Sequence, residues 1–239
     1  MKKLLLSLAA MTSALLLYAA DSEIYIDQSG GTALNLDIEQ INGSGNLIGG
    51  ATATAGSMTP LDLDGASMSL DVLQKGSNNK YLGDIWADNY TGYFSFIGDT
   101  NTFNMSTDET NATGADGSNV NVQVTGNTNT MTLNHAMTAL AANLDLDWTI
   151  QGDTNNITAS IDVDGATNYM NIDGDDNVVT YDGDGYAGGY FHLTHTGGSR
   201  TFNIDQESTS DNDWLKITSD GSSGVVCVTQ SDATTSFVC

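Results

Sequence analysis

The feature that most constrains the fold of this chain is a turn that returns in matching surroundings. In FIGDTNTF, VTGNTNTM and IQGDTNNI, Gly is followed three residues later by Asn, with apolar residues at equal distances on both sides. The Gly-x-x-Asn unit occurs at Gly43–Asn46, Gly76–Asn79, Gly98–Asn101, Gly126–Asn129, Gly152–Asn155 and Gly174–Asn177, with degenerate copies at Gly197–Arg200 and Gly221–Gly224. From Gly76 onward the glycines are 22, 28, 26, 22, 23 and 24 residues apart, a period that indicates a repeat architecture.

The residues around each turn alternate between apolar and polar. Around Gly98, the apolar side chains are Phe94 and Phe96 before the turn, and Phe103 and Met105 after it. Strict alternation is typical of a β-strand with one buried face. Each repeat is therefore predicted to be a strand, a tight turn and a second strand, followed by a variable loop. We expect the Gly to supply a positive φ, and the Asn to tolerate the left-handed conformation.

A lone hairpin is marginal in water, whereas stacked copies pair every strand with its equivalents above and below. The sequence thus predicts an all-β fold, a β-solenoid of about seven or eight strand–turn–strand rungs with two facing parallel sheets. Asparagines in register can form a hydrogen-bonded ladder in such a stack. A meandering sandwich or barrel also explains the alternation, but not the fixed offsets. The predicted turn and ladder residues are Gly76, Asn79, Gly98, Asn101, Gly126, Asn129, Gly152, Asn155, Gly174 and Asn177.

The first twenty residues have the pattern of a secretory signal peptide. Lys2 and Lys3 precede an apolar run, and small residues follow at Ala19 and Ala20. We therefore predict a secreted protein whose mature part, residues 21–239, is a single solenoid domain without a membrane span. Without Lys2 and Lys3 this part keeps 30 acidic and four basic residues, a net charge near −26. Such a surface repels nucleic acid and anionic lipid, so neither is expected as a partner.

The tail VVCVTQSDATTSFVC holds both cysteines of the chain. Folded as a hairpin about Ala233, it pairs Cys227 with Cys239, close enough for a disulfide with modest adjustment. Export favours such a bond, because disulfides persist in oxidising compartments. The alternative is two small core residues, since free cysteine is often buried. We predict the disulfide, as part of a C-terminal hairpin cap that holds the final rung.

Glutamines accompany several of the turns. SLDVLQKGSNNKYLGDI carries Gln74 two residues before Gly76, with Asn79 three residues after that glycine. Gln206 and Gln230 each stand nine residues after a degenerate turn glycine. These residues resemble the curlin repeat, Ser-x5-Gln-x-Gly-x-Gly-Asn-x-Ala-x3-Gln, although most repeats here have Phe, Val or Ile in place of the first Gln. Curlins are secreted bacterial subunits that polymerise into curli, the functional amyloid of biofilms, and the resemblance implies a similar fold and assembly.

Two kinds of function fit these features. The first is a structural protein, a curlin-like subunit of an extracellular fibre or biofilm matrix. Its end rungs are open sheet edges that self-associate, with a secretion or nucleation partner as a further expectation. The second is a monomeric solenoid adhesin that binds a glycan or a partner on a cell or virus surface. It would use uneven loops and exposed aromatic residues, for which the candidates are Tyr90, Tyr93, Tyr186 and Tyr190.

No catalytic constellation is evident in the sequence. His135, His192 and His195 fall into no nucleophile–base pattern, and no glycine-rich phosphate loop opens a helix. We therefore expect the protein not to be an enzyme and predict no catalytic or cofactor-binding residues. A polysaccharide lyase or hydrolase is the most distant alternative.

Calcium is the one cofactor candidate. Asp-rich turns recur at 62–65, 162–165, 173–177 and 182–185, and hard cations are bound by several carboxylate and carbonyl oxygens. The spacing matches neither the EF-hand loop nor the calcium-binding β-roll repeat, and Asp favours turns on its own. No metal ligands are therefore predicted, and calcium is kept as a hypothesis.

Overall fold

The structure, a computed structural model, describes residues 3–7, 12–17, 21–31, 33–49, 61–87, 89–107, 117–135, 141–185, 188–208 and 213–231. Regular structure in these ranges is entirely β. The strands are β1 (Lys3–Ser7), β2 (Thr12–Leu17), β3 (Asp21–Gly31), β4 (Leu34–Ile48), β5 (Leu61–Gly65), β6 (Met68–Ala87), β7 (Tyr90–Ile97), β8 (Thr100–Thr107), β9 (Asn119–Thr125), β10 (Thr128–His135), β11 (Ala141–Ala142), β12 (Asp145–Gln151), β13 (Thr154–Asp164), β14 (Thr167–Asp173), β15 (Asn177–Gly185), β16 (Tyr190–Thr196), β17 (Ser199–Ser208), β18 (Trp214–Asp220) and β19 (Ser223–Ser231). This part of the chain holds no helix of the length and apolarity that a membrane crossing needs.

The strands wind into coils, each with one strand before the turn glycine and one after it. The pre-turn strands β7, β9, β12, β14, β16 and β18 stack in parallel. The post-turn strands β8, β10, β13, β15, β17 and β19 do the same. The long strands β4 and β6 run through their turns and contribute to both walls. The result is a parallel β-solenoid of about seven turns, which confirms the fold predicted from the repeat.

Register is conserved from coil to coil. On the post-turn wall, Phe103, Met131 and Ile157 are directly opposed in successive strands. On the pre-turn wall, Phe94 is opposed to Val122 in the same way. We call each in-register set of residues a column. Because strand residues alternate between two faces, every column points wholly inward or wholly outward.

The inward columns fill one continuous core. It extends from Ile24 near the first coil to Ile204 near the last. The two walls meet across it, as at Phe94 and Phe103, whose ring centroids are 5.2 Å apart in an edge-to-face arrangement. Burying one side chain of this size stabilises the fold by about 1.5–3 kcal/mol. Since each coil contacts only its neighbours, an end coil has half the support of a central one.

The two ends of the described chain differ. At the N-terminal end, β1 pairs in parallel with β3 and β2 pairs with β4, so both strands of the predicted signal peptide lie against the first coils. The removal of residues 1–20 stays a prediction. At the C-terminal end, β18 and β19 form the last described coil. Residues 232–239, and with them the predicted hairpin about Ala233, lie outside the described residues.

Candidate functional site

The turn glycines stack directly on one another. A Cβ atom on Gly98 would collide with the carbonyl oxygen of Gly76, and one on Gly126 would collide with that of Gly98. The φ angle is positive at Gly152 and Gly174 but not at Gly98 or Gly126, and no ladder asparagine adopts a positive φ. The prediction that the turn glycines adopt a positive φ is therefore wrong for Gly98 and Gly126. From Gly76 to Gly221, each turn glycine lies against the carbonyl of the turn glycine before it, and this close approach leaves no room for a side chain.

The asparagines that follow the turns form a side-chain ladder through the stack. Each Nδ2 donates to the Oδ1 of the asparagine in the next coil, so all the bonds run in one direction along the chain. The donor–acceptor distances are 2.9 Å from Asn46 to Asn79, 2.8 Å from Asn79 to Asn101, 2.8 Å from Asn101 to Asn129, 2.7 Å from Asn129 to Asn155 and 2.6 Å from Asn155 to Asn177. Asn129 also donates to the carbonyl of Gly126 at 2.9 Å, so it closes its own turn as well as joining coils.

The ladder ends at a histidine. Arg200 takes the next place in the asparagine column, but Asn177 Nδ2 donates instead to Nε2 of the buried His195, at 3.0 Å. Asn177 Oδ1 already accepts from Asn155, which leaves its amide group as the donor. His195 Nε2 must therefore be unprotonated, and Nδ1–H faces Ser219 Oγ at 3.0 Å. One neutral tautomer of this imidazole links the ladder to β18.

The surroundings of His195 favour that neutral form. Burial, followed by the positive charge of Arg200, lowers the pKa of His195. The Gly174 backbone, which would accept a hydrogen bond from the protonated ring, and the carboxylates of Asp173 and Asp175 act in the opposite direction but are outweighed. This role of His195 was not identified from the sequence, because the repeat pattern contains no sign that a residue before the turn replaces an asparagine after it.

Glutamines form a shorter ladder in the first coils. Gln74 Nε2 donates to Gln40 Oε1 at 2.7 Å and to the carbonyl of Lys80 at 3.1 Å. The same column becomes apolar at Phe96 and stays so over the central coils. Gln28, in another inward column, is only 5% exposed, and its Oε1 has no hydrogen-bond partner among the described residues. The first coils therefore contain one hydrogen-bonded glutamine pair, Gln40 and Gln74, and one buried glutamine, Gln28, whose side-chain oxygen lacks a donor from the described residues.

The last described coil leaves inward positions uncovered. Val226 and Val228 continue the columns of Phe202 and Ile204. They are 44% and 45% exposed, whereas Phe202 and Ile204 are fully buried. Within the described part of the chain, β19 has a strand partner on one side only, namely β17. An apolar strand with one free edge is suited to pairing with a further strand.

Aromatic side chains cluster on the outer face of the last pre-turn strands. Tyr190 and Trp214 stack with ring centroids 4.2 Å apart and 2° between their planes. Tyr169 lies 5.4 Å from Tyr190, and Tyr169 and Trp214 are 45% and 42% exposed. Because Tyr190 and Trp214 cover each other's faces, they present mainly ring edges along the wall.

The aromatic candidates named from the sequence have different outcomes. Tyr93 is 51% exposed and Tyr190 is half-buried, while Tyr186 lies outside the described residues. Tyr90 is a correction, since it is 1% exposed and therefore belongs to the core. It stands four residues before Phe94, and residues an even number apart on a strand share a face.

Carboxylates stack on the outer face of the post-turn wall. Asp182 opposes Asp205 in register, and Asp184 opposes Glu207. Burial, and then the neighbouring carboxylates, raise the pKa of Asp182 and of Asp205. No group of three or more His, Cys, Asp or Glu side chains in the described ranges is arranged to hold a metal ion. The neighbouring carboxylates in these columns repel one another, and calcium binding stays a hypothesis.

The other histidines and the cysteines complete the set of candidates. His135 is buried, with Nδ1 2.6 Å from Thr107 Oγ1, and His192 lies on the outer face beside Trp214. The locations of these histidines do not test the expectation that the protein is not an enzyme, which stays a prediction. Cys227 is disulfide-bonded. Its predicted partner Cys239 lies outside the described residues, so their pairing stays a prediction.

No family model, no curated protein and no solved structure matches the chain. The resemblance to curlins therefore rests on the turn, asparagine and glutamine residues themselves.

Proposed function

We propose that the protein is a secreted structural protein, a curlin-like subunit that builds an extracellular fibre or biofilm matrix by end-to-end association. The observation that carries this proposal is the last described coil, where the inward Val226 and Val228 are exposed. In a solenoid each coil gains stability from the coils beside it, so an apolar end coil gains from one more. A second copy of the chain offers such a coil in the same parallel geometry.

Charge sets the conditions for assembly. The chain has 30 acidic and 6 basic residues, so copies repel one another at low ionic strength. The strand β19, SGVVCVTQS, carries no charged residue, so the edge itself adds nothing to this repulsion. We expect association to accelerate as salt screens the charge, or as pH falls toward the isoelectric point of about 4.1.

The proposal is tested on protein collected after secretion, with its first residue determined by mass. Thioflavin fluorescence, electron microscopy and fibre diffraction would be recorded over a series of salt concentrations and pH values. The expected result is unbranched fibres with a reflection near 4.7–4.8 Å, the spacing between strands. A calcium series at constant ionic strength separates specific binding from screening. Sedimentation as a monomer under every condition would contradict a fibre function.

The second candidate function is a monomeric adhesin, and it is favoured by the aromatic cluster around Tyr190 and Trp214. Exposed aromatic groups rimmed by polar residues are common at surfaces that bind partners. Binding of monomeric protein to immobilised glycans or cells, abolished by Trp214→Ala and retained by Tyr93→Ala, would support this function over the fibre.

A further inference from the structure

We propose that β19 of one copy docks in parallel on β3 of a second copy, at the edge that β1 covers in the structure. This inference rests on the proposed fibre function and gives it a defined junction. The docking strand takes the edge of β19 that the predicted hairpin about Ala233 would otherwise cover, so the junction and that cap exclude each other. The junction continues the columns of the post-turn wall without a shift. It places Val226 on Ile24, Val228 on Ile26, Thr229 on Asp27 and Gln230 on Gln28.

The register follows from the columns inside one chain. In the predicted mature chain, Ile24 begins an inward column that passes through Ile48 and Tyr81 and then through each post-turn strand from β8 to β19, ending at Val226. Gln28 begins another, which ends at Gln230. Stacking a second copy on the first therefore brings the last member of each column onto its own first member. Apolar meets apolar and glutamine meets glutamine at the positions that point into the core.

The pairing of β1 with β3 shows which kind of strand fits this edge of β3. The strand β1 pairs in parallel with β3, with Leu4 opposite Ile24 and Leu6 opposite Ile26. Val226 and Val228 in β19 have the same spacing, so they can take the places of Leu4 and Leu6. Because β1 lies in the predicted signal peptide, its removal on export would uncover this edge. The leader thus blocks the junction until the chain has left the cell.

An unpartnered buried group supports the same register. Gln28 is 5% exposed, yet its Oε1 has no hydrogen-bond partner in the described part of the chain. In the junction, Gln230 of the adjoining copy stands directly over it and supplies an Nε2–H donor. Gln74 and Gln40 make this bond within one chain at 2.7 Å. A buried acceptor left unpaired costs about 1–3 kcal/mol, so docking removes a real penalty.

Charge also favours β19 as the occupant. The outward residues of β3 include Glu23 and Asp27, and Asp27 is already opposed to Asp62 in the next strand. Burial, and then Asp27, raise the pKa of Asp62, so another carboxylate in this column would add repulsion. Thr229 extends the column without charge, and the rest of β19 is uncharged as well.

The experiment is disulfide capture between two proteins that each carry one added cysteine, in a background where Cys227 and Cys239 are replaced by serine. Secreted Asp27→Cys protein is mixed with secreted Thr229→Cys protein, allowed to assemble and mildly oxidised. The matched control replaces Asp27→Cys by Glu23→Cys, which lies on the same face but about 13 Å further along the strand at 3.3 Å per residue. We expect cross-linked chains from the matched pair and at least tenfold less from the control.

Two further variants test the junction without cysteine. Val228→Asn places an amide at an inward position of the docking edge, whereas Val225→Asn places it on the outer face of the same strand, in the column of Asn156 and Val178. Both positions are exposed in the single chain, so folding is expected to survive both changes. Only Val228→Asn should slow elongation, by tenfold or more. Protein purified with residues 1–20 retained should fail to extend from its β3 edge.

The outcomes separate the junction from the fibre. Fibres with equal cross-linking in both cysteine pairs, or with more in the control pair, overturn the register and leave the fibre function standing. Cross-linked dimers from the matched pair without fibres support the junction and overturn the fibre function. If neither fibres nor cross-linked chains form, both the junction and the fibre function are overturned. Equal elongation by the two asparagine variants also overturns the junction, and extension from the β3 edge of protein that retains residues 1–20 overturns the leader block.

Discussion

The central coils and the last two coils come from the same repeat but are joined in different ways. From β8 to β15, each asparagine bonds to the next, and each turn glycine lies against its neighbour. In β17 and β19, Arg200 and Gly224 occupy the asparagine column, and a single histidine links the walls instead. The inward valines of β19 are also half exposed. The apolar–polar alternation alone is therefore enough to form a coil. The asparagine ladder and a neighbouring coil on each side are what stabilise it.

The largest difference between the two regions is expected at the stacked glycines. In Gly126→Ala the new Cβ collides with the carbonyl of Gly98, and the coils on both sides hold that carbonyl in place. We expect a loss of about 3 kcal/mol or more in the free energy of unfolding, measured by urea denaturation. Gly221→Ala makes a similar collision with Gly197 in the end coil, which can move aside, so about 1 kcal/mol is expected. Equal losses would show that the end coil is as constrained as the centre.

The ladder is expected to produce the next largest effect. Asn129→Leu removes the partner of Asn101 Nδ2 and of Asn155 Oδ1, both inside the core. A loss of about 1–3 kcal/mol follows, and the same is expected for Asn155→Leu. The matched change at the end of the column, Arg200→Leu, should stay within about 0.5 kcal/mol, because this partly exposed side chain makes an exposed hydrogen bond to the Ser223 carbonyl in place of the buried ladder bonds. If the melting temperature is unmoved in both asparagine variants, the ladder contributes nothing.

Acid is expected to loosen the last coils and leave the central ones intact. The pKa of His195 is lowered in the folded chain, so protons bind more readily to the unfolded chain. Its contribution to stability is therefore complete above the unfolded pKa of about 6.5 and is lost as pH falls below it. Hydrogen exchange, corrected for its intrinsic pH dependence, should rise in β16–β19 over this range.

Two variants check that this response belongs to His195. His195→Asn keeps an acceptor for Asn177 but cannot titrate, so exchange in β16–β19 should become insensitive to pH. His192→Asn, on the outer face of the same strand, should leave the response unchanged. A pH response that persists in His195→Asn would assign it to another group.

The smallest effect is expected from the acidic columns. Asp205→Asn removes one carboxylate from a column that already holds Asp182, and should stabilise by about 0.2–1 kcal/mol at low salt. The raised pKa of Asp205 has the sign opposite to that of His195, so the benefit of the substitution should shrink as pH falls. Asp145→Asn is the central control, since its column neighbours are Asn119 and Thr167 and no benefit is expected. Equal benefits at both sites would point to net charge rather than to the column.

The fold was predictable because alternation and the turn spacing each limit it independently. A strand period of two selects the buried face, and a repeat of fixed offsets selects stacking over a sandwich. The burial of Tyr90, which was expected to be exposed, was also predictable, because Tyr90 is an even number of residues from Phe94 and therefore lies on the same face of the strand. Extending the apolar–polar alternation from Phe94 back to the start of the strand predicts that Tyr90 is buried.

The reasons behind individual residues were less accessible. Gly98 and Gly126 have no positive φ, and their need for glycine depends on a carbonyl oxygen one coil away, some two dozen residues back along the chain. The role of His195 depends on a contact between the pre-turn and post-turn walls. Local spacing describes single strands and turns, and it contains no information on which side chains from the two walls meet inside the core.

The uniform direction of the asparagine ladder gives the rod an electric dipole. Aligned amide groups add their dipole moments as peptide groups do along a helix, with the N–H end positive and the oxygen end negative. The negative end is at Asn46, whose Oδ1 has no partner in the described chain, and the positive end points from Asn177 toward His195. Rods joined end to end in the same sense extend this dipole, while rods lying side by side are favoured when they run in opposite directions. Antiparallel lateral pairing is therefore the arrangement that the interior of the solenoid favours.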